Sequence, residues 1–447
     1  MKNPSRIATA AGIALLVFGT GAITASAAPY KFKTLQSYCA DAPTCTNGVN
    51  PQSGLVLDAS GNLYGTTLSG GSGFGTVFEL TRSATGFRFK ILYKFCSQLN
   101  CTDGVSPKAT LIMDTAGNLY GTASGGGDRG KGIVFELTPG KRWKFKRLYS
   151  FCAAGGSCAD GSHPAGSETG ASGALTYVGA AWARPYDGVS QLFGTTVEGG
   201  ANGAGVAYAL APNGTTWMET VLYDFCSQPN CGDGQQAGNL IARDAQRLYG
   251  TTASGHGSVF LLTPASPRWS LATLHTFCPA SGCADGDVPN ALALDANGNF
   301  FGLTSAGGTG TQCSIAGGCG VAFELSFIKH GGWQESVLYN FCSLTSCSDG
   351  AQPSPGLLLD AADDVFGTTN LGGSSNCFSE SQCGTAFRIQ GSLEQVMHTF
   401  CPKAGCSGEG TTPEAAPVMD SSGNLYGTTS FGGAYGGGTV YQLKPAG

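Results

Sequence analysis

The sequence predicts an all-β fold, a seven-bladed β-propeller of four-stranded antiparallel blades, from three observations. Glycine and proline occupy 71 and 20 of 447 positions, about a fifth of the chain against roughly an eighth in average usage, which rules out a long helical bundle. A motif of the Leu-Tyr-Gly-Thr-Thr type recurs seven times, and the two ends of the chain carry complementary fragments of the unit around it. With 41% hydrophobic and only 12% charged residues, the chain can bury a large core despite its glycine content.

Residues 1–27 read as an export signal: Lys2 and Arg6 supply the positive end, 7–24 are mostly apolar and small, and Ala25-Ser26-Ala27 is a small-x-small cleavage site. Gly12, Gly19 and Gly21 dilute a stretch already short for a membrane anchor. No later segment is apolar enough to span a bilayer, and the C-terminal residues carry no hydrophobic tail. The expected product is a secreted protein, extracellular or periplasmic, with 28–447 forming one domain and no membrane insertion after cleavage. Of 24 basic residues, loss of Lys2 and Arg6 leaves 22 against 29 acidic. A surface of that sign repels phosphate backbones and anionic lipid, so no nucleic-acid partner is expected. A monomer is expected.

The repeated motif runs Leu63-Tyr64-Gly65-Thr66-Thr67, then returns around Gly121, Gly194, Gly250, Gly302, Gly367 and Gly427. Each copy lies within four strand-like runs, clearest in the second unit at 109–114, 118–123, 132–137 and 143–151. In the last run Trp143, Phe145, Tyr149 and Phe151 share one parity and Lys144, Lys146 and Ser150 the other, the period-2 pattern of an outer strand with one wetter face. Seven such units in tandem, none able to bury its faces alone, predict a propeller. The run 30–38 matches the fourth run of a unit, whereas the chain ends on a third run at 438–443. The N-terminal strand is therefore expected to complete the seventh blade and close the ring, which an open solenoid would not require.

The run Leu-Tyr-Gly-Thr-Thr-x-x-Gly-Gly-x-x-Gly-x-Gly-Thr-Val-Phe-Glu-Leu, present in 63–80 with one spacer residue fewer after Gly-Gly and nearly complete in 425–443, resembles the Gloeo/Verruco (GloVer) tandem repeat of exported, choice-of-anchor bacterial proteins. The resemblance spans essentially the whole mature chain. It implies the fold and export and no activity, and the varied surface-sorting tails of that family have no counterpart here.

The 18 cysteines form nine close pairs. Seven follow the fourth runs: Cys39/Cys45, Cys96/Cys101, Cys152/Cys158, Cys226/Cys231, Cys278/Cys283, Cys342/Cys347 and Cys401/Cys406; Cys313/Cys319 and Cys377/Cys383 lie in the loops after the Gly-Thr-Thr strands of blades 5 and 6. In an exported chain these read as disulfides, each closing a short loop for about 2 kcal/mol. Zinc would need ligands converging from loops that a propeller holds apart, so no metal is expected. Because strand direction alternates, all nine pairs emerge on one side, the upper face. Asp58, Asp114, Asp295, Asp360 and Asp420 stand in hairpins on the opposite side, where each is expected to cap its own turn.

A second set, Asp103, Asp160, Asp233, Asp285 and Asp349, each before glycine, follows the cysteines, with Asn47 in the first loop. They are turn formers or, read functionally, ligand-binding carboxylates ringing one channel mouth; calcium is conceivable there, but no calcium motif indicates it, and no cofactor is expected. The repeat breaks most in blade 3, where Asp160 to Leu175 spans 15 residues against 8 from Asp103 to Leu111. That break supplies His163 and Glu168; His256 replaces a small residue in blade 4, and Asp128, Arg129 and Lys131 charge the blade 2 loop. His163, Glu168 and His256 are the only candidates for catalysis, as general acid or base. The glycine loop 125–131 mimics a phosphate loop but has Gly132 where a Ser or Thr would bind Mg²⁺. The expected function is non-catalytic binding of an extracellular glycan or protein through the upper face. Two alternatives are a polysaccharide lyase or glycoside hydrolase with its site at the channel mouth, and a structural envelope or matrix scaffold.

Overall fold

A computed structural model describes residues 30–446 except 154, 165–173, 316, 375–382 and 402–407. The export signal, Glu168, Cys377 and Cys406 therefore lie outside the described residues. Seven antiparallel blades follow one another along the chain. In blade 2 the strands are Ile112–Met113, Leu119–Ala123, Ile133–Thr138 and Lys144–Ser150. The innermost strand is much shorter than its apolar run. In blade 2 Pro107 stands two residues before that run and has no N–H to give a ladder; in blade 5, by contrast, the first strand is Asp287–Leu294 and includes Pro289. Blade 6 splits its first strand into Ala351–Pro353 and Leu358–Leu359, both paired with Val365–Leu371.

The ring closes as expected: Tyr30–Ser37 pairs antiparallel with Thr439–Pro445, from Tyr30 opposite Pro445 to Ser37 opposite Thr439. The N-terminal strand carries the same irregularity as every other fourth strand, a one-residue bulge. It falls at Leu35, Leu92, Leu148, Leu222, Leu274, Leu338 and Met397 in turn. The bulge corrects the single-parity reading of that run. Phe145 pairs with Leu137 and Tyr149 with Val134, so the extra residue turns Phe145 and Tyr149 to opposite faces of the sheet despite their even spacing. The fourth strand of blade 2 thereby offers Phe145 to the blade before it and Tyr149 to the blade after.

The core lies between blades. One cluster joins Tyr64, Val77, Leu92 and Phe95 of blade 1 to Leu111, Leu119 and Phe135 of blade 2, and similar clusters fill the next spaces. Seven equivalent backbone bonds also link each blade to the next, donated by the N–H of Asn50, Ser106, His163, Gln236, Val288, Gln352 and Thr412 to Gly437, Phe74, Lys131, Ala204, His256, Cys319 and Cys383. Their lengths fall between 2.8 and 3.3 Å, and the first of them joins blade 7 to blade 1.

The lower hairpins are capped as predicted. Asp58 accepts from the N–H groups of Ser60 and Asn62, and Asp420 from those of Ser422 and Asn424; Asp114, Asp295 and Asp360 repeat the arrangement. In blade 3 a longer segment, 178–191, replaces this turn. Its Tyr186 carbonyl accepts from Thr115 of blade 2, while Ala181 packs into the cluster of Tyr249 and Ile241 in blade 4. The segment therefore straps three blades together on the lower rim.

Candidate functional site

The upper face is built by two loops per blade that hold each other. The carbonyl of the second cysteine in five of the cysteine loops accepts from a glycine of the following blade: Gly71 to Cys45, Gly127 to Cys101, Gly200 to Cys158, Gly308 to Cys283 and Gly373 to Cys347, at 2.8–3.0 Å. Contact is so close that a Cβ on Gly126, whose φ is +72°, would stand 2.5 Å from the Cys101 carbonyl oxygen, so only glycine fits.

Cys231 departs from this pattern. Its carbonyl accepts from the Gly234 N–H of its own loop at 2.8 Å, and no glycine of blade 4 reaches it among the described residues. The reason is length: the blade 4 loop runs 253–257 where blade 1 has 68–75, so it lacks the paired glycines that lie over the cysteine loop elsewhere. The Cys226–Cys231 loop is therefore held by its own disulfide and by Asp233, without the clasp from the next blade.

Seven disulfides are present among the described residues: Cys39–Cys45, Cys96–Cys101, Cys152–Cys158, Cys226–Cys231, Cys278–Cys283, Cys313–Cys319 and Cys342–Cys347. Cys383 and Cys401 are also disulfide-bonded; their expected partners, Cys377 and Cys406, are not among the described residues. This many disulfides belong to an oxidising, non-cytoplasmic compartment. Among the described residues no helix is long and apolar enough to cross a membrane.

The five aspartates each organise a separate cysteine loop. Asp103 Oδ2 accepts from the Tyr93 hydroxyl at 2.6 Å and from the Ser97 N–H and hydroxyl at 2.8 Å, while Oδ1 accepts from the Gln98 N–H. Asp233 repeats this with Tyr223, Ser227 and Gln228; burial opposes its ionisation, yet these donors hold its carboxyl below the usual range. Asp349 accepts from Tyr339, Ser343 and Leu344, and Asp160 from Tyr149 and Ala153. Asp285 accepts from the Cys278 N–H and stands 3.4 Å from His275. These bonds are turn chemistry, and Asp103, Asp233 and Asp349 are almost wholly buried. Asn47 fills the position in the first loop by accepting from the Cys39 N–H. Sequence reasoning missed the last member of the set, Glu409, which takes the position in the blade 6–7 loop, 3.7 Å from His398.

Beside three of these aspartates the structure places a second carboxyl. Glu219, Glu335 and Glu394 pair across the sheet with Leu210, Leu325 and Ile389, the register position that Phe145 holds opposite Leu137 in blade 2. Burial, reinforced by Asp160, pushes the Glu219 carboxyl up to about 8; burial and Asp285 push Glu335 to about 7, and burial and Asp349 push Glu394 to about 8. One oxygen of each glutamate is buried without a hydrogen-bond partner among the described residues. A sequence signal existed: these are the acidic residues at a position of the fourth run that is otherwise aromatic or aliphatic.

His163 and His256 are engaged by different acids. His163 Nδ1 stands 3.0 Å from Glu198 and His256 Nδ1 3.2 Å from Asp287. His163 is also one of the seven residues that donate a backbone bond between blades, so it occupies a repeated position and not an inserted one. Asp128 pairs with Arg147 at 2.7 Å. Close groupings of metal-ligating side chains among the described residues are His256 with Cys278 and Cys283, and Cys319 with Cys342 and Cys347. In both the sulfurs are already in disulfides, which removes the thiolate that would bind a metal. On the axis a cavity of 280 Å³ is lined by Gln52, Lys108, Thr110, Asn239 and Glu414 among small and apolar residues. Burial raises the Glu414 carboxyl against the opposing pull of Ser430 and Lys108.

Aromatic side chains stand exposed on the upper loops of two adjacent blades: Phe431 (41%) and Tyr435 (55%) in blade 7 and Phe74 (43%) in blade 1. The motif that carries the resemblance noted above matches the Gloeobacter/Verrucomicrobia repeat model over residues 17–181, 178–379 and 256–447. The chain belongs to that family. This Gloeobacter/Verrucomicrobia-repeat protein matches no functionally curated protein. Among solved structures, it is similar to the WD40 β-propeller domain of Doa1, at 10% identity and a TM-score of 0.50 over 94% of this chain and 98% of that one, which concerns the fold alone. The extracellular domain of the putative hybrid two-component system BT4673 from B. thetaiotaomicron is 9% identical with a TM-score of 0.49; the match covers 92% of this chain and only 39% of that one.

Proposed function

We propose that this repeat protein is exported and binds an extracellular glycan or protein through its upper face, without catalysing a reaction. The observation that carries the reading is the set of half-exposed rings Phe74, Phe431 and Tyr435 on loops of neighbouring blades. Burying such rings would offset much of the cost of association, and Tyr adds a polar handle. The loops that hold them contain no cysteine, but backbone bonds from Gly71 to Cys45 and from Gly433 to Glu409 fasten them to the adjoining cysteine loops, so less conformational freedom is lost on binding. Flat rings suit the C–H faces of sugars, which makes polysaccharide the first ligand class to test. The candidate acids support binding in a different way, because they spend their oxygens in holding the loops and leave the rings to make contact.

The test is co-sedimentation with a panel of insoluble polysaccharides, comparing the wild type with Phe74→Ala, Phe431→Ala and Tyr435→Ala combined. The expected outcome is at least about a tenfold loss of affinity, the size of 1.4 kcal/mol, with an unchanged melting temperature. Retention by the triple variant would overturn the assignment to these rings. Release of unsaturated or reducing ends during the assay, abolished by His163→Ala, would favour the lyase or hydrolase alternative.

A further inference from the structure

Two disulfides of the upper face touch. The Sγ atoms of Cys319, Cys342 and Cys347 all lie within 4.8 Å of one another, yet Cys319 is bonded to Cys313 and Cys342 to Cys347. The contact follows from a strap of hydrogen bonds that lays the enlarged blade 5 loop along the next cysteine loop. Gln312 N–H donates to the Cys342 carbonyl at 3.0 Å, the Thr309 N–H to Asn340 Oδ1 at 2.7 Å, and the Thr311 hydroxyl to the Ser343 carbonyl at 3.1 Å. Cys319, Cys342 and Cys347 are fully buried, whereas Cys313 is partly exposed.

We infer that these sulfurs form a thiol–disulfide relay, through which a small thiol acting at Cys313 re-pairs the blade 5 loop with the loop between blades 5 and 6. Access decides the order of events. The incoming thiolate attacks the accessible Cys313 sulfur, forms a mixed disulfide there, and expels Cys319 as a thiolate. That thiolate is released next to an intact disulfide in a dry site, and it attacks Cys342 or Cys347. The 342–347 bond breaks, a bond from Cys319 to one of the two forms, and the sulfur left over takes up the proton of the incoming thiol. One thiol and two disulfides thus become two disulfides and one thiol, with no net oxidation. The exchange replaces two links internal to single loops by one that bridges them, and so changes the restraint on the upper loops of blades 5 and 6 without requiring that any ligand bind there.

The first test is Cys313→Ser, which leaves Cys319 with no partner of its own. After acid quenching, alkylation and peptide mapping without reduction, the expected result is that a substantial share of the free thiol sits on Cys342 or Cys347, with a peptide linking the two loops. Label found on Cys319 alone would overturn the inference. The second test uses the unaltered protein and limiting glutathione, and so stands even where the variant folds poorly. Molecules carrying glutathione on Cys313 are expected to contain the cross-loop peptide; such molecules with 342–347 intact throughout would overturn it. Neither readout depends on ligand binding, so failure here and failure of the proposed function are distinguishable.

Discussion

The seam between blades 1 and 2 and the seam between blades 2 and 3 are built on one plan with one change. In the first, Tyr93 stacks on Phe145 with ring centroids 4.6 Å apart and donates to buried Asp103. In the second, Tyr149 donates to Asp160 at 2.7 Å, but Glu219 stands where Phe145 would. The seam between blades 6 and 7 follows the first pattern, with His398 stacked on Phe32 at 4.2 Å, and those entering blades 5 and 6 follow the second. An aromatic ring stabilises a seam at any pH. A buried carboxyl beside another carboxyl does so only while one of them keeps its proton. The same fold therefore contains seams that differ in pH dependence, set by a single register position.

The largest effect should come from moving the acidic solution into the aromatic seam. Phe145→Glu removes the stacked pair and sets a second acid beside Asp103, and is expected to cost about 3 kcal/mol at pH 8 and less at pH 5. Denaturant unfolding at the two pH values measures it, and an equal cost at both would break the comparison.

The next effect belongs to the unaltered chain. The folded-state values of Glu219, Glu335 and Glu394 are raised to about 8, 7 and 8, so the folded protein holds protons that the unfolded chain releases near 4.5. Their contribution is complete below that value and is lost as pH climbs through 7–8. His398, which burial lowers to about 4, acts oppositely between 4 and 6.5, so the clean window is pH 6.5–8.5. Stability should decline across it, by about 1 kcal/mol per seam after screening. The combined Glu219→Gln, Glu335→Gln and Glu394→Gln variant should flatten the decline in a thermal unfolding series.

Smaller still is Tyr93→Phe, which keeps the ring and removes one donor to Asp103, at about 1–2 kcal/mol by chemical denaturation. Arg268→Ala should have the least effect on stability, about 0.5 kcal/mol or below, because the guanidinium that pairs with Asp224 is nearly half exposed. Arg268 also opposes the upward shift of Glu219, so its loss should move the pH-dependent decline to higher pH.

Blade number, the four runs of each blade and the exchange of strands between the chain ends were legible because they repeat, and repetition averages out local ambiguity. The seven cysteine pairings seen among the described residues were legible for the same reason, although the missing clasp at Cys231 depends on a loop of the next blade. The acid pairs were not legible. Asp160 and Glu219 are 59 positions apart, and the alternation of the fourth run hides the bulge at Leu148 that turns one side chain forward and the next back. Blade 3's lower strap was signalled only by the 73-residue spacing of its motif, which reports an insertion without saying on which rim it lands.

What the sequence determined by itself was periodic: glycine, cysteine and apolar residues at recurring offsets specify local strands, turns and loop closures, each from interactions between near neighbours. What only the tertiary structure decided was which side chains from successive blades face each other. Closing a ring converts a small local bulge into a choice of partner, and burial between blades then assigns to an ordinary glutamate a protonation state, and to two ordinary disulfides a contact, that neither has in its own segment.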